Sequence, residues 1–149
     1  MKHFNLVDNI NRIQNSRITT VYHKSPYVLD SFKYKHRRKL EHTHLNSALG
    51  LWGLRNKSYA SDSKVYLTYT FQLKNTANIY GLSYHMFKNL TQNMSEEEIL
   101  KLRKKLIKIE VDVLCVLDED SISEIIVVND EVIENFTRVE NEKEKTSNS

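Results

Sequence analysis

Three stretches of the chain hold side chains whose types and spacing could do chemistry. The first is Val21-Tyr22-His23-Lys24-Ser25-Pro26, with a histidine at the end of a β-branched and aromatic run. The second is Gly50-Leu51-Trp52-Gly53, followed by Ser58-Tyr59-Ala60 and by an alternating segment from Val65 to Leu73. The third is Glu124, which opens the apolar run Ile125-Ile126-Val127-Val128. A carboxylate in so apolar a strand is costly unless it pairs or works. The indole of Trp52 has a broad π face of the kind that holds a cationic ring. The run from Lys33 to Lys39 carries five Lys/Arg and His36. It reads as a solvated loop able to meet a pyrophosphate or nucleic acid.

Other constellations carry less. His36, His42 and His44 lack the spacing of a zinc site, so no metal is expected. Ser25 beside His23 is not a triad, because nothing fixes their geometry. Cys115 lies in an apolar run and reads as inert core. A single cysteine has no partner within the chain, which suits a reducing compartment.

These residues need elements to position them. Residues 1–17 repeat Phe4, Val7, Ile10 and Ile13 at helical spacing and predict one amphipathic helix. Residues 18–23 predict a strand, ended by Ser25-Pro26. His42–Ser47 reads as a loop, and 48–54 as a short buried strand or a tight turn. Val65–Leu73 alternates cleanly and predicts a strand with Val65, Leu67, Tyr69, Phe71 and Leu73 on one face. A short helix is expected over 83–93. A longer one is expected over 95–109, where Ser95 and Glu98 form a capping box. Val111–Leu117 and Ser123–Val128 predict a hairpin about the turn Asp118–Ser121. Asn129-Asp130 can cap a short helical turn through Ile133. Residues 140–149 are polar and read as a disordered tail.

The order of these elements resembles the ADP-ribosyltransferase fold. Tyr22-His23-Lys24-Ser25 is similar to that family's first strand. Gly50-Leu51-Trp52 is similar to its second element, with Tyr59 as the stacking tyrosine. Val65-Tyr66-Leu67 through Lys74-Asn75 corresponds to the third. Val111-Asp112-Val113-Leu114 and Glu124 to Asn129 correspond to the last pair, which holds the catalytic glutamate. Departures accompany the likeness. Lys24 stands where the family has a glycine whose backbone holds the nicotinamide amide, and Gly53 stands where it has Phe. Ile122 stands two residues before Glu124, where arginine-modifying members carry Glu or Gln. The chain also lacks the Ser-Thr-Ser strand of that branch, so the likeness is to the His-Tyr-Glu branch.

The resemblance implies NAD as cofactor, with Glu124, His23 and Tyr59 catalytic. It implies cofactor contacts from Tyr22, His23, Lys24, Ser25, Gly50, Leu51, Trp52 and Tyr59. The pyridinium of NAD departs neutral, so the reaction needs no general acid for its leaving group. The site has to stabilise an oxocarbenium-like ribose. Glu124 would accept a hydrogen bond from the ribose 2′-hydroxyl and bring negative charge near it. His23 would orient a ribose hydroxyl, and Tyr59 or Trp52 would stack on the nicotinamide.

Composition bounds the rest. The chain has 149 residues, 40% hydrophobic and 28% charged, with a net charge of +3. That suits one globular domain over 1–139 followed by the tail. It does not suit a collagen, a secreted disulfide scaffold or a wholly disordered chain. No apolar run reaches the ~20 residues that span a bilayer. The expected architecture is α+β, ADP-ribosyltransferase-like, with two small, mostly antiparallel sheets clasping NAD and helices at their flanks. The expected activity is NAD-dependent mono-ADP-ribosyl transfer to a protein or nucleic-acid acceptor, with loops 24–48 and 76–95 choosing that acceptor. The Lys-, Asn- and Ile-rich composition suits a cytoplasmic phage or bacterial effector. Two alternatives stand beside it: an RNA 2′-phosphotransferase of the same fold, and a non-enzymatic module whose basic 33–39 stretch holds nucleic acid or an acidic partner.

Overall fold

The structure, a computed structural model, describes residues 6–25, 27–40, 45–55 and 67–139. It is an α+β fold with two sheets. Its strands are β1 (Asn11–Arg12), β2 (Val21–Ser25), β3 (Leu51–Gly53), β4 (Leu67–Leu73), β5 (Ile79–Ser83), β6 (Val113–Asp118), β7 (Ser121–Val127) and β8 (Ile133–Val139). Its helices are α1 (Leu6–Asn9), α2 (Tyr34–Leu40), α3 (Leu45–Leu49), α4 (Tyr84–Thr91) and α5 (Glu96–Lys108).

The larger sheet runs β1-β5-β6-β7-β3 and the smaller one β2-β4-β8. β5 and β6 pair in parallel. A parallel pair needs a long crossover, and α4 and α5 supply it. The other pairs are antiparallel. The apolar alternation of β6 and β7 fills both faces of the larger sheet. Val113, Cys115, Ile125 and Val127 pack toward the smaller sheet with Val21, Phe32 and Phe71. Leu114, Val116 and Ile126 pack toward Leu102 and Leu106 of α5 and Leu49 of α3. The molecule is thus layered as small sheet, large sheet, helices.

Several expectations hold at residue level. α5 starts at the capping box of Ser95 and Glu98, and three glutamates occupy its first turn, where the helix dipole favours them. Asn129 caps a short 3-10 turn over Asp130–Val132. β6 and β7 form the hairpin, with Glu119 in the left-handed region at its tip. Tyr69, Phe71 and Leu73 of β4 are buried together.

Others are corrected. The N-terminal stretch is not one helix. α1 stops at Asn9, and Ile13 donates its backbone N–H to Ile79 at the sheet edge. The Asn15 amide then donates to the carbonyls of Asn75 and Ala77, which fixes a turn rather than a helical register. The basic run is not a loop. It forms α2, whose Arg37 is buried. Leu45–Ser47, expected in a loop, belongs to α3. β5 lies in a stretch expected to be loop, and β8 was not expected. The predicted tail lies outside the described residues. Among the described residues, no helix is long and apolar enough to cross a membrane.

Candidate functional site

The two sheets meet along β2 and β3. Among the described residues a single bridge joins them, in which Tyr22 and Leu54 exchange both backbone hydrogen bonds at 2.8 Å. An antiparallel ladder continued by one step would next pair Lys24 with Trp52. That pair does not form. The carbonyl of Trp52 instead accepts, at 2.7 Å, from Nδ1 of His23. A side chain has replaced a rung of backbone, and the sheets part beyond it.

Gly53 permits the close approach. A Cβ there would fall inside the van der Waals shell of Val21 Cγ1 and 3.0 Å from the Tyr22 carbonyl oxygen. No larger side chain fits this position unless Val21 or the Tyr22 backbone shifts. Gly50 lets the start of β3 lie against the backbone of Val127 in the same way.

The parting of the sheets opens a cleft of about 260 Å³. Tyr22, His23 and Lys24 line one wall, and Trp52, Gly53, Leu54 and Glu124 line the other. His23 and Glu124, 101 positions apart in the chain (124 − 23), face one space.

His23 is set from behind. Its ring lies 4.6 Å from that of Phe32. Phe32 in turn stacks on Phe136 and tilts against Phe71. Tyr69 holds the segment before Phe32, since its hydroxyl accepts from Leu29 N–H at 2.8 Å and donates to the Tyr27 carbonyl. Burial pushes the His23 pKa down to about 4, with the nearby Arg37 charge acting in the same direction. The ring is therefore neutral at neutral pH. Because Nδ1 donates its proton to a carbonyl, Nε2 is a lone-pair acceptor. It is buried and has no hydrogen-bond partner.

Glu124 is half-buried on β7. A register shift between Val116 and Leu117 sends Ile122 into the inter-sheet core, and Glu124 emerges on the other face. Ser123 ties the bulge by donating from its hydroxyl to the Val116 carbonyl at 3.0 Å. Burial raises the Glu124 pKa above the ordinary carboxylate value. No described residue ion-pairs or hydrogen-bonds with its carboxylate.

Lys24 does not occupy the left-handed region, which among the described non-glycine residues holds only Glu110, Glu119 and Asn135. Its backbone follows from the register. Tyr22 turns its N–H and C=O to β3, so His23 exchanges bonds with Tyr69 in β4 and Lys24 turns its own N–H and C=O toward the opening.

The remaining expected residues fall elsewhere. Ser25, Gly50 and Leu51 do not line the cleft. Ser25 is fully buried behind it, where its Oγ accepts from Arg37 at 3.3 Å and from Tyr27 N–H. Leu51 belongs to the inter-sheet core. Tyr59 lies outside the described residues, as do His42 and His44. Phe32, Tyr69 and Arg37 support the site and were missed in the sequence. The signal for Tyr69 was its place on the buried face of β4. Cys115 sits in the core, where burial pushes its thiol up to about 12. Among the described residues no cluster of His, Cys, Asp and Glu could hold a metal. Set against family models, curated proteins and solved structures, the chain matches none of them.

Proposed function

We propose that this chain is a mono-ADP-ribosyltransferase of the ADP-ribosyltransferase fold, breaking the nicotinamide–ribose bond of NAD. The observation that carries the reading is the cleft at the seam of two sheets, lined at once by Tyr22, His23, Lys24, Trp52 and Glu124. The donor set fits the nicotinamide end of NAD. Lys24 offers a backbone donor and acceptor to a carboxamide, the complementary pair that group needs. Trp52 offers a π face to a cationic ring. His23 lines the same cleft with a neutral ring, and its partnerless Nε2 is buried, so a ribose hydroxyl reaches that lone pair only if binding uncovers it. The cleft is smaller than the roughly 300–1,000 Å³ of pockets that enclose a whole drug-sized ligand. It therefore suits the ring and its sugar rather than the whole dinucleotide.

Bound NAD supplies a cationic pyridinium leaving group on a ribose carbon. The bond electrons pass to the ring nitrogen, and the ring leaves uncharged. Glu124, ionised, accepts from the 2′-hydroxyl and sets negative charge beside the carbon that becomes electron-poor. His23, neutral and fixed by its bond to the Trp52 carbonyl, shapes the wall beside the sugar without moving a proton. The acceptor oxygen or nitrogen then bonds to that carbon, and any proton it carried passes to solvent. A cytoplasmic site of action, in the producing or the host cell, belongs to the same reading.

The test is nicotinamide release from NAD, together with transfer of an adenine-side label to a cell extract. Glu124→Gln is expected to lower release by ~10²–10³, the usual cost of losing one electrostatic stabiliser. Equal release by wild type and Glu124→Gln, or release by neither, overturns the proposal.

A further inference from the structure

The two basic stretches of the chain, distant in sequence, adjoin in the fold. On α5 the exposed positions include Lys101, Lys104, Lys105 and Lys108, a stripe opposite the buried Ile99, Leu102 and Leu106. α2 begins beside exposed Lys33 and carries exposed Lys35. The junction is specific. The Arg103 guanidinium of α5 lies 3.5 Å over the Tyr34 ring of α2, and Arg103 donates to the Val128 carbonyl at 3.1 Å. Asp130 accepts from Tyr34 N–H at 2.7 Å and offsets the Arg103 charge there. The exposed lysines are left largely uncompensated. Lys101 meets Glu97 at 3.9 Å, while Lys104, Lys105 and Lys108 have no ion pair among the described residues.

The same helix leads to the cleft. Arg37, on the buried side of α2, reaches Ser25, the residue after Lys24. Lys24 is also the one cation among the described residues that line the cleft. α5, α2 and the cleft wall are thus joined by the Tyr34–Arg103 and Arg37–Ser25 contacts, with exposed lysines on or beside both helices and Lys24 at the cleft.

We infer that α2 and α5 form a binding surface for nucleic-acid phosphates, and that the acceptor delivered to the cleft is nucleic acid. The second half rests on the reading of the cleft given above. Charge complementarity selects the partner, because regularly spaced, hydrated ammonium groups suit phosphates. An acidic protein fits less well: protein interfaces are depleted of Lys and built on aromatic, Met and Arg anchors, and the exposed stripe of α5 consists largely of lysines. With Ile122 turned into the core, β7 offers no second base beside Glu124 to take a proton from a cationic guanidinium, which counts against arginine among protein acceptors.

The experiment measures fluorescence anisotropy of labelled single-stranded RNA and DNA oligonucleotides with the full chain, over a salt series. Binding is expected to weaken with salt, with a log–log slope of about −0.7 per phosphate contact. K104Q/K105Q/K108Q is expected to flatten that slope by about 2 and weaken binding about tenfold. K74Q/K88Q, which removes two exposed charges away from α2 and α5, is expected to leave both unchanged. Absence of salt-dependent binding, or equal losses in both variants, overturns the surface. A parallel incubation with adenine-labelled NAD compares the oligonucleotides with polyglutamate and with extract protein. Label on protein alone overturns the acceptor assignment. Oligonucleotide binding without nicotinamide release from any mixture upholds the surface and sinks the enzyme reading instead.

Discussion

The imidazole of His23 occupies the carbonyl of Trp52 at the point where a rung from Lys24 would otherwise close the two sheets. One side chain therefore does two things: it satisfies a backbone acceptor and leaves the amide and carbonyl of its neighbour turned to the cleft. The consequences can be separated by mutation.

Lys24 is expected to serve nicotinamide through its backbone. Lys24→Ala should retain most nicotinamide release. Lys24→Pro should reduce it by about the 10²-fold that loss of a positioning contact can cost. The substituted N–H faces the seam rather than β4, and proline is tolerated on such an edge. Circular dichroism checks that the fold is kept. Equal release by the two variants would show that the backbone plays no part.

His23 should make stability depend on pH. Its pKa falls to about 4 in the folded chain from 6.5 in the unfolded one. The stability it contributes is present above pH 6.5 and is lost as pH falls toward 4, because only the unfolded chain takes up the proton in that window. The full difference amounts to roughly 3 kcal/mol. His23→Gln keeps a donor for Trp52 and cannot titrate. Urea midpoints of wild type and His23→Gln should converge on acidification across this window, and parallel curves would contradict the buried neutral ring.

Glu124 acts in the opposite direction. Its raised pKa means the folded chain binds a proton more readily than the unfolded one, so this residue adds stability as pH falls through its folded value. Turnover needs the ionised form. The acidic limb of a kcat/KM profile for nicotinamide release should therefore lie above the ordinary carboxylate value of 4.5. A limb at or below it would remove Glu124 from that role.

Gly53→Ala should wedge the seam. The new methyl meets Val21 and the Tyr22 carbonyl, and β2 and β3 cannot both hold their places. A loss of about 1–3 kcal/mol in chemical denaturation is expected. Nicotinamide release should fall further than stability alone explains, because the cleft walls move. An unchanged midpoint would mean that the approach of β2 to β3 is looser than described.

Periodicity revealed the elements that obey it. The stripe of Ile99, Leu102 and Leu106 and its capping box mark α5 in the sequence, and the apolar run of β6 and β7 marks the hairpin. β8 escaped because its half-buried residues, Ile133, Phe136 and Val139, recur every three positions. Asn135 at φ 56° and the register shift opposite Thr70 and Gln72 break the two-residue period of a strand. β5 escaped because it is short, contains Gly81 and is largely buried on both faces, which erases alternation. The N-terminal spacing misled because Ile13 is drawn to the β5 edge by a tertiary hydrogen bond that no local pattern encodes. At the site, residue types pointed to His23, Trp52 and Glu124. The support from Phe32, Tyr69 and Arg37 depends on contacts between elements and had no local signature.

The Tyr22–Leu54 bridge has a dynamic consequence. Among the described residues it is the sole pair of backbone hydrogen bonds between the strands of the two sheets, so the amide protons of Tyr22 and Leu54 report on how tightly the seam is held. A molecule bound across the seam is expected to slow their exchange. Deuterium uptake at Tyr22 and Leu54 therefore gauges occupancy directly, whether or not any turnover follows.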